Sequence, residues 1–355
     1  MPRIAPKALR QIGCEIFQAA GYSLADAELV AEHLVDSNLY GHDSHGAIRF
    51  YEYIELIDEG LFNPGGKPQV VQEKPCAAVV DGGGALGQVG ATFATKLAIS
   101  KAREHGTATV TLRNTSHVGR VGAYPLMAAR EGLLGLMFVN GGRLGFQITP
   151  YGGLDGKLTT NPIAFAAPRR SDEPILVDMA TSMVAEGKIR VAVNQGKPLP
   201  DGCIIDHEGR PSTDPQDYLG EPRGAILPLG GSAAYKGYCL GFLVELLAGA
   251  LSGQGCAAGE RRLKSNGVTL TVYDISFFTD LETFYDEVEG LIRHVLSSRV
   301  DPKIGQILLP GQPEWRAAEH RREHGIELDD TTWSRICAAG KGLGIDTSWW
   351  ENGNL

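Results

Sequence analysis

Ala77-Ala78-Val79-Val80-Asp81-Gly82-Gly83-Gly84-Ala85-Leu86-Gly87 is the stretch on which the fold turns. An apolar strand ends at Asp81, a glycine run follows, and a helical pattern continues from Gln88 to Glu104. Residues 82–87 literally fit G-x-G-x-x-G in the strand-turn-helix setting of a Rossmann dinucleotide turn. Two features oppose that reading. A long run of helical pattern precedes the strand, so this would not be the chain's first βαβ unit. The next strand, Thr107 to Leu112, leads to Arg113 and Asn114 rather than to the acid that holds a ribose; an arginine there suits only a 2′-phosphate. Glycine is also common throughout, 46 of 355 residues, so a chance match is easily made. The stretch therefore reads as a glycine turn between a strand and a helix in an α/β region, with a Rossmann dinucleotide turn as the alternative.

Working outward, the first sixty residues carry three helical patterns. Ala5 to Ala20 places Leu9, Ile12, Ile16 and Phe17 on one face, and Gly21 ends it. Ser23 with Asp26 three residues on marks the next start. That helix runs to Tyr40, and a third runs from Ala47 to Glu59. Beyond the glycine stretch, Tyr124 to Glu131 reads as a helix, while Leu133 to Val139, Ile163 to Ala167 and Ile175 to Asp178 read as strands. Pro200 to Pro228, rich in Pro, Gly and Asp, reads as a long surface excursion. Tyr235 to Leu251 reads as a buried helix, too short for a bilayer and interrupted by Glu245. Val268 to Phe278 alternates as a strand, and Phe284 to Ser298, Pro313 to Gly325 and Thr331 to Gly340 return to helix. The expected organisation is an α/β domain, 73–309, with a helical domain built from both chain ends, 1–72 and 310–355.

Composition narrows the partners. A net charge of −9 without a basic block argues against nucleic acid. Six scattered cysteines without a CxxC pair read as reduced thiols. The opening MPRIAPKALRQIG has no export signal, so a cytoplasmic, membrane-free protein is expected. Neither HxH, HExxH nor a Cys/His knot occurs, so no metal site is expected, and no GxSxG elbow supports a serine hydrolase.

Ionisable residues concentrate in two places. Gly41-His42-Asp43-Ser44-His45-Gly46 separates two amphipathic helices, and Arg49 and Tyr53 share a face of the second. A histidine can exchange a proton with a substrate oxygen, and an arginine can clamp a carboxylate; together these are parts for reducing a 2-oxo acid. The plainer alternative is that Asp43 and Ser44 cap the helix and Arg49 pairs with Glu52 or Glu55. Asn114 to Arg120 places His117 just after a strand, where ligands of open α/β sheets bind. Asp178-Met179-Ala180-Thr181 ends a strand, where Asp178 could orient a histidine or merely cap a helix. Lys236 enters a helix beside glycine, in reach of a phosphate at its N-terminus. Thr160-Asn161-Pro162 and Pro310-Gly311-Gln312 are turns whose backbone could approach a ligand. A metal-assisted lyase using His45, His117 and Asp178, and a cofactor-binding regulator without turnover, are the rivals from other classes.

The segments HDSHG (42–46), GQVGA (87–91), SHVG (116–119), TNPIAFAAP (160–168), VDMATS (177–182), GKIR (187–190), YKGYCL (235–240) and LLPGQ (308–312), taken in order, resemble the malate/L-lactate dehydrogenases of the second type. Within that family, HDSHG, SHVGRVG and ILLPGQPEW are most similar to the hydroxycarboxylate dehydrogenase B, or hydroxyphenylpyruvate reductase, branch. The resemblance implies a non-Rossmann NAD(P)-binding fold and an intertwined homodimer with a shared site. It implies NAD or NADP as cofactor and a small 2-oxo or 2-hydroxy acid as substrate. Cyclic-imine reductases and ureidoglycolate, diketogulonate and sulfolactate enzymes are the alternatives within the family. His117 matches a proton acceptor of some members; Ser44, His45 and Asp178 match a proton relay of imine-reducing ones, so two acid/base assignments stand. Arg49 and Tyr53 match substrate-binding positions of the ureidoglycolate type; the hydroxycarboxylate branch lacks that arginine. Asn140, Thr160, Asn161, Asp178, Met179, Ala180, Thr181, Lys236, Pro310, Gly311 and Gln312 match cofactor-contacting segments. Arg113, Arg120 and Arg143 are the candidates to read a 2′-phosphate.

Overall fold

The computed structural model describes residues 1–142, 146–258 and 265–352. Its centre is a seven-stranded sheet in the order Gln69–Lys74, Ala77–Asp81, Thr107–Thr115, Asn266–Asp274, Leu133–Asn140, Ile163–Ala167, Ile175–Met179. Only Ala77–Asp81 and Thr107–Thr115 run parallel, joined by helix Gly87–His105; every other ladder is antiparallel. A βαβ unit thus exists, but it is single and no doubly wound sheet grows from it.

The glycine run is occupied by the protein itself. Gly82 N–H donates to Arg113 O at 2.8 Å, Gly84 N–H to Asn114 O at 2.9 Å and Ala85 N–H to Gly82 O at 3.0 Å. Gly83 N–H donates to Asp81 Oδ1 and Gly87 N–H to Ser116 Oγ, each at 2.8 Å. A phosphate cradle needs those amides unspent. The run instead lets backbones touch: Gly83, at φ +61°, would place a Cβ 2.5 Å from Lys67 O.

Residues from both chain ends share one apolar core. Leu9, Ile12, Ile16 and Phe17 of helix Pro6–Ala19 meet Val30 and Leu34 of Leu24–Leu39 and Phe50 and Tyr53 of Ile48–Asp58. Ala318 of Gln312–His324, Ile336 of Asp330–Gly342 and Trp350 complete it. Arg3–Ile4 pairs antiparallel with Ile326–Glu327, which ties the two termini directly. Ser23 caps its helix as its position predicts, accepting from Asp26 N–H at 3.2 Å.

Two expectations are corrected. Pro200 to Pro228 is more than a surface excursion: it contributes a three-stranded sheet, Ile204–Ile205 between Pro211–Ser212 and Ala225–Ile226. Its Cys203, Ile204, Tyr218 and Ile226 bury against Ile148, Val184, Ile189 and Leu199 from flanking segments. Pro and Gly density obscured strands that are only two residues long. The helix from Tyr235 is not buried all round. It runs as an α-helix to Val244 and as π-type turns over Glu245–Leu251, leaving Phe242, Leu243, Leu246 and Leu251 exposed on the single chain.

Register gathers the candidate residues. Thr115 pairs with Asn266, Asn140 with Gly267, Phe138 with Ile163, and Ile163 with Met179. One end of the sheet therefore carries His117, Asn140, Thr160, Asn161, Asp178 and Thr181, which lie up to 64 positions apart in sequence.

Candidate active site

Helix Leu24–Leu39 delivers the His42 to Gly46 loop to this sheet end. Asn38 fixes the loop: its Nδ2 donates to Asp43 Oδ1, and its Oδ1 accepts from Ala47 N–H, both at 2.7 Å. Arg321 of helix Gln312–His324 donates Nη2 to Asp43 Oδ2 at 3.0 Å. Asp43 and Ser44 therefore do not cap helix Ile48–Asp58, whose preceding residue Ala47 donates its N–H to Asn38. His42 lies 3.7 Å from Glu314.

Ser44 Oγ lies 3.1 Å from His45 Nδ1, and the His45 ring stacks on His117 with centroids 5.4 Å apart and an interplanar angle of 23°. The two histidines, 72 positions apart, thus form one site. Glycine makes the approach possible on two sides. A Cβ on Gly87 would fall 2.2 Å from His117 O, and one on Gly187 would fall 2.5 Å from Ser44 Cβ. Burial and the charge of Arg49, with His42, His33 and Arg120 behind it, hold His45 well below the usual imidazole range. His33 accepts from Arg120 N–H at 3.0 Å and is pushed down to about 3, by burial first and Arg120 second.

Arg49 is partly committed. Its Nε donates to Ser44 O at 2.9 Å and its Nη1 to Glu52, so the Glu52 pairing foreseen from sequence is formed, while Glu55 pairs with Arg335. Tyr53 is not an open cleft residue: at 1% exposure it stands behind His117, its hydroxyl 2.7 Å from Nδ1 and 2.9 Å from Gln88 Nε2.

Asp178 accepts from Gly122 N–H at 2.7 Å and is hydrogen-bonded to neither Ser44 nor His45. Burial raises its carboxyl, against the charges of His42 and Arg120. Arg120 lies 4.5 Å over the Tyr40 ring, with Nε and Nη1 buried and unpartnered. Sequence reasoning missed Gln88, Asn38, His33 and Arg321. Neutral amides carry no charge signal, a lone histidine or arginine on a helix face reads as solvated, and GQVGA was the sole hint for Gln88.

Thr160–Asn161, Asp178–Thr181, the start of helix Tyr235–Val244 and Pro310–Gln312 are contiguous. Thr181 N–H donates to Thr160 O at 3.0 Å, Asn161 Nδ2 to Gly241 O at 3.0 Å, and Leu176 N–H to Pro310 O at 3.3 Å. Gly237 closes on Leu229, whose N–H donates to Thr181 O at 3.0 Å. The side chains of Asn140 and Asn161 are fully buried and jointly bind Glu245, at 3.2 and 2.8 Å. They hold the helix to the sheet. Exposed Met179 and exposed Lys236, in the first turn of a ten-residue helix, offer an apolar face and a cation. That donor set fits a dinucleotide, whose rings need apolar contact and whose phosphates favour a helix N-terminus. Arg143 lies outside the described residues, and among the described residues no cluster has the ligands for a metal ion.

A sequence profile of malate/L-lactate dehydrogenase matches residues 4–337. The chain belongs to that family. It is 36% identical to hydroxycarboxylate dehydrogenase B of Escherichia coli O157:H7 over 336 residues, 93% of this chain and 91% of the relative. The structure of malate dehydrogenase from Pyrococcus horikoshii superposes with a TM-score of 0.88 at 32% identity, covering 97% and 96% of the two chains. That of Δ1-piperideine-2-carboxylate reductase from Pseudomonas syringae superposes with a TM-score of 0.83 at 29% identity, covering 96% and 100%. The protein is thus an oxidoreductase of the 2-hydroxy acid/2-oxo acid type, acting on CH–OH donors.

Proposed function

We propose that the protein reversibly reduces a small 2-oxo acid to the 2-hydroxy acid with NADH or NADPH, at a site formed by His45, His117, Ser44 and Arg49. The stacked histidine pair beside an arginine carries this reading. Thr160–Asn161, Asp178–Thr181, Lys236 and Pro310–Gln312, with the Asn140 backbone, would hold the dinucleotide. When bound, it supplies or accepts the hydride. The chain's own work is orientation and charge: Arg49 holds the substrate carboxylate, a histidine exchanges a proton with the substrate oxygen, and Asp178 anchors the His117 loop through Gly122. Purified protein is expected to oxidise NADH or NADPH with at least one of phenylpyruvate, oxaloacetate, pyruvate and 2-oxoglutarate. Silence across that panel, with no quenching of NAD(P)H fluorescence on binding, would sink the reading.

A second substrate class has its own support: the Ser44 Oγ to His45 Nδ1 contact of 3.1 Å, and the likeness to a structure named for a cyclic imine carboxylate. Including that imine in the panel separates the two. We also propose a homodimer that shares the site, because Phe242, Leu243, Leu246 and Leu251 and, on helix Leu281–Leu296, Leu291, Val295 and Leu296 expose two apolar faces. Sedimentation should give twice the chain mass, and Leu246→Glu should shift it towards monomer. A cytoplasmic location is part of the proposal; no helix among the described residues is long and apolar enough to cross a membrane.

A further inference from the structure

Two imidazoles face each other in this site, and their hydrogen-bond partners differ in kind. Behind His117 lies a directional chain. Gln88, fully buried, points its amide Nε2 at Tyr53 Oη at 2.9 Å, and an amide N–H can only donate. Tyr53 Oη has one proton, and its remaining near partner is His117 Nδ1 at 2.7 Å. With Gln88 supplying a donor, the phenol spends its proton on Nδ1, so neutral His117 carries its own proton on Nε2. Burial pushes the Tyr53 hydroxyl up to about 12, which keeps that proton in place. Protonating His117 would set Nδ1–H against the phenol O–H and orphan one of them inside the core, which disfavours the imidazolium.

Behind His45 lies a rotor. Ser44 Oγ sits 3.1 Å from Nδ1, and a hydroxyl can donate or accept there as the ring changes state. Burial first, and the charge of Arg49 second, favour the neutral form of the ring.

We propose that Gln88 and Tyr53 are positioning residues that lock His117 as the neutral Nε2–H tautomer, so that His117 orients the substrate oxygen by donating a hydrogen bond while His45 exchanges the proton. In oxidation of the hydroxy acid, neutral His45 takes the hydroxyl proton as the C–H bond gives up its hydride; in reduction, the same proton returns from the His45 imidazolium to the carbonyl oxygen. His117 begins and ends neutral. This assignment rests on the oxidoreductase reading above, but its first test does not need turnover.

In the intact protein without cofactor, the ring nitrogens of 15N-labelled histidine report the tautomer directly by NMR. His117 should show a protonated Nε2 and an unprotonated Nδ1. Tyr53→Phe should release the lock and mix the tautomers, and Gln88→Glu, whose carboxylate accepts from the phenol, should reverse it towards Nδ1–H. A wild-type His117 that is Nδ1-protonated, mixed or doubly protonated at neutral pH overturns the proposal. It needs no variant to fold. With a turned-over substrate, His117→Gln keeps a side-chain donor and should retain kcat within about tenfold, whereas His45→Gln should lose about 10²–10⁴-fold. The reverse ranking also overturns it. Absence of any turnover would instead count against the oxidoreductase reading and leave the tautomer result standing.

Discussion

Arg49 reaches the site with two of its donors already spent, Nε on Ser44 O and Nη1 on Glu52. What remains for a substrate carboxylate is a pre-oriented edge of the guanidinium, held by a helix neighbour three residues on. Arg49→Ala should therefore weaken substrate binding by about 2–5 kcal/mol, seen as a raised KM for the oxo acid with kcat changed less. An unchanged KM would remove Arg49 from the carboxylate role. Glu52→Gln keeps the guanidinium but loosens it, and should raise KM by a smaller factor in the same assay. Residue type made Ser44, His45, Arg49 and His117 legible, because few side chains can clamp an anion or titrate near neutrality. Residue type could not say that Tyr53 turns its hydroxyl to His117, since that depends on a partner 64 positions away.

Glycines set how closely the elements approach. Helix Gly87–His105 begins against the His117 loop, with room there for no side-chain carbon at all. Alanine is the better helix former by about 1 kcal/mol, but a Cβ 2.2 Å from His117 O must move backbone. Gly87→Ala should cost about 1–3 kcal/mol and lower kcat, read from the denaturant midpoint and from steady-state rates. Gly290, within helix Leu281–Leu296, is the contrast: its Cβ would meet only Arg293 Nη2, at 3.8 Å. Gly290→Ala should gain up to about 1 kcal/mol and leave kcat alone. Helix starts and most strand bounds from periodicity lie close to those observed, because caps and alternation are local; the strand expected over 268–278 instead ends at Asp274 and gives way to helix Ile275–Phe278. The three short strands of the 204–226 segment escaped notice, because two-residue pairings have no period to detect.

Over the whole molecule, burying histidines makes folding acid-sensitive. His33, pushed down to about 3, and His45, also lowered, bind fewer protons folded than unfolded. Their stabilisation is complete above the unfolded value of about 6.5 and is lost as pH falls through 6.5 towards the folded values. Asp178 acts in the opposite sense over its own lower range, since burial raises it and the folded state then holds the proton more readily. The melting temperature is expected to fall from pH 7 to pH 5, and His33→Gln to flatten that fall; a wild-type curve already flat over this interval would refute the assignment. The fold class, the helical ends and the chemistry of each candidate group were determined by the sequence alone, because propensity, patterning and side-chain type are local properties. Which candidates share a site was decided only by tertiary structure. Antiparallel register brings Thr115, Asn140, Ile163, Met179 and Asn266 to one sheet end, and Gly87 and Gly187 let two helices close on the loops that carry the stacked imidazoles. The Gln88–Tyr53–His117 chain belongs to that second class, for the direction of a hydrogen bond exists only once both partners are in place.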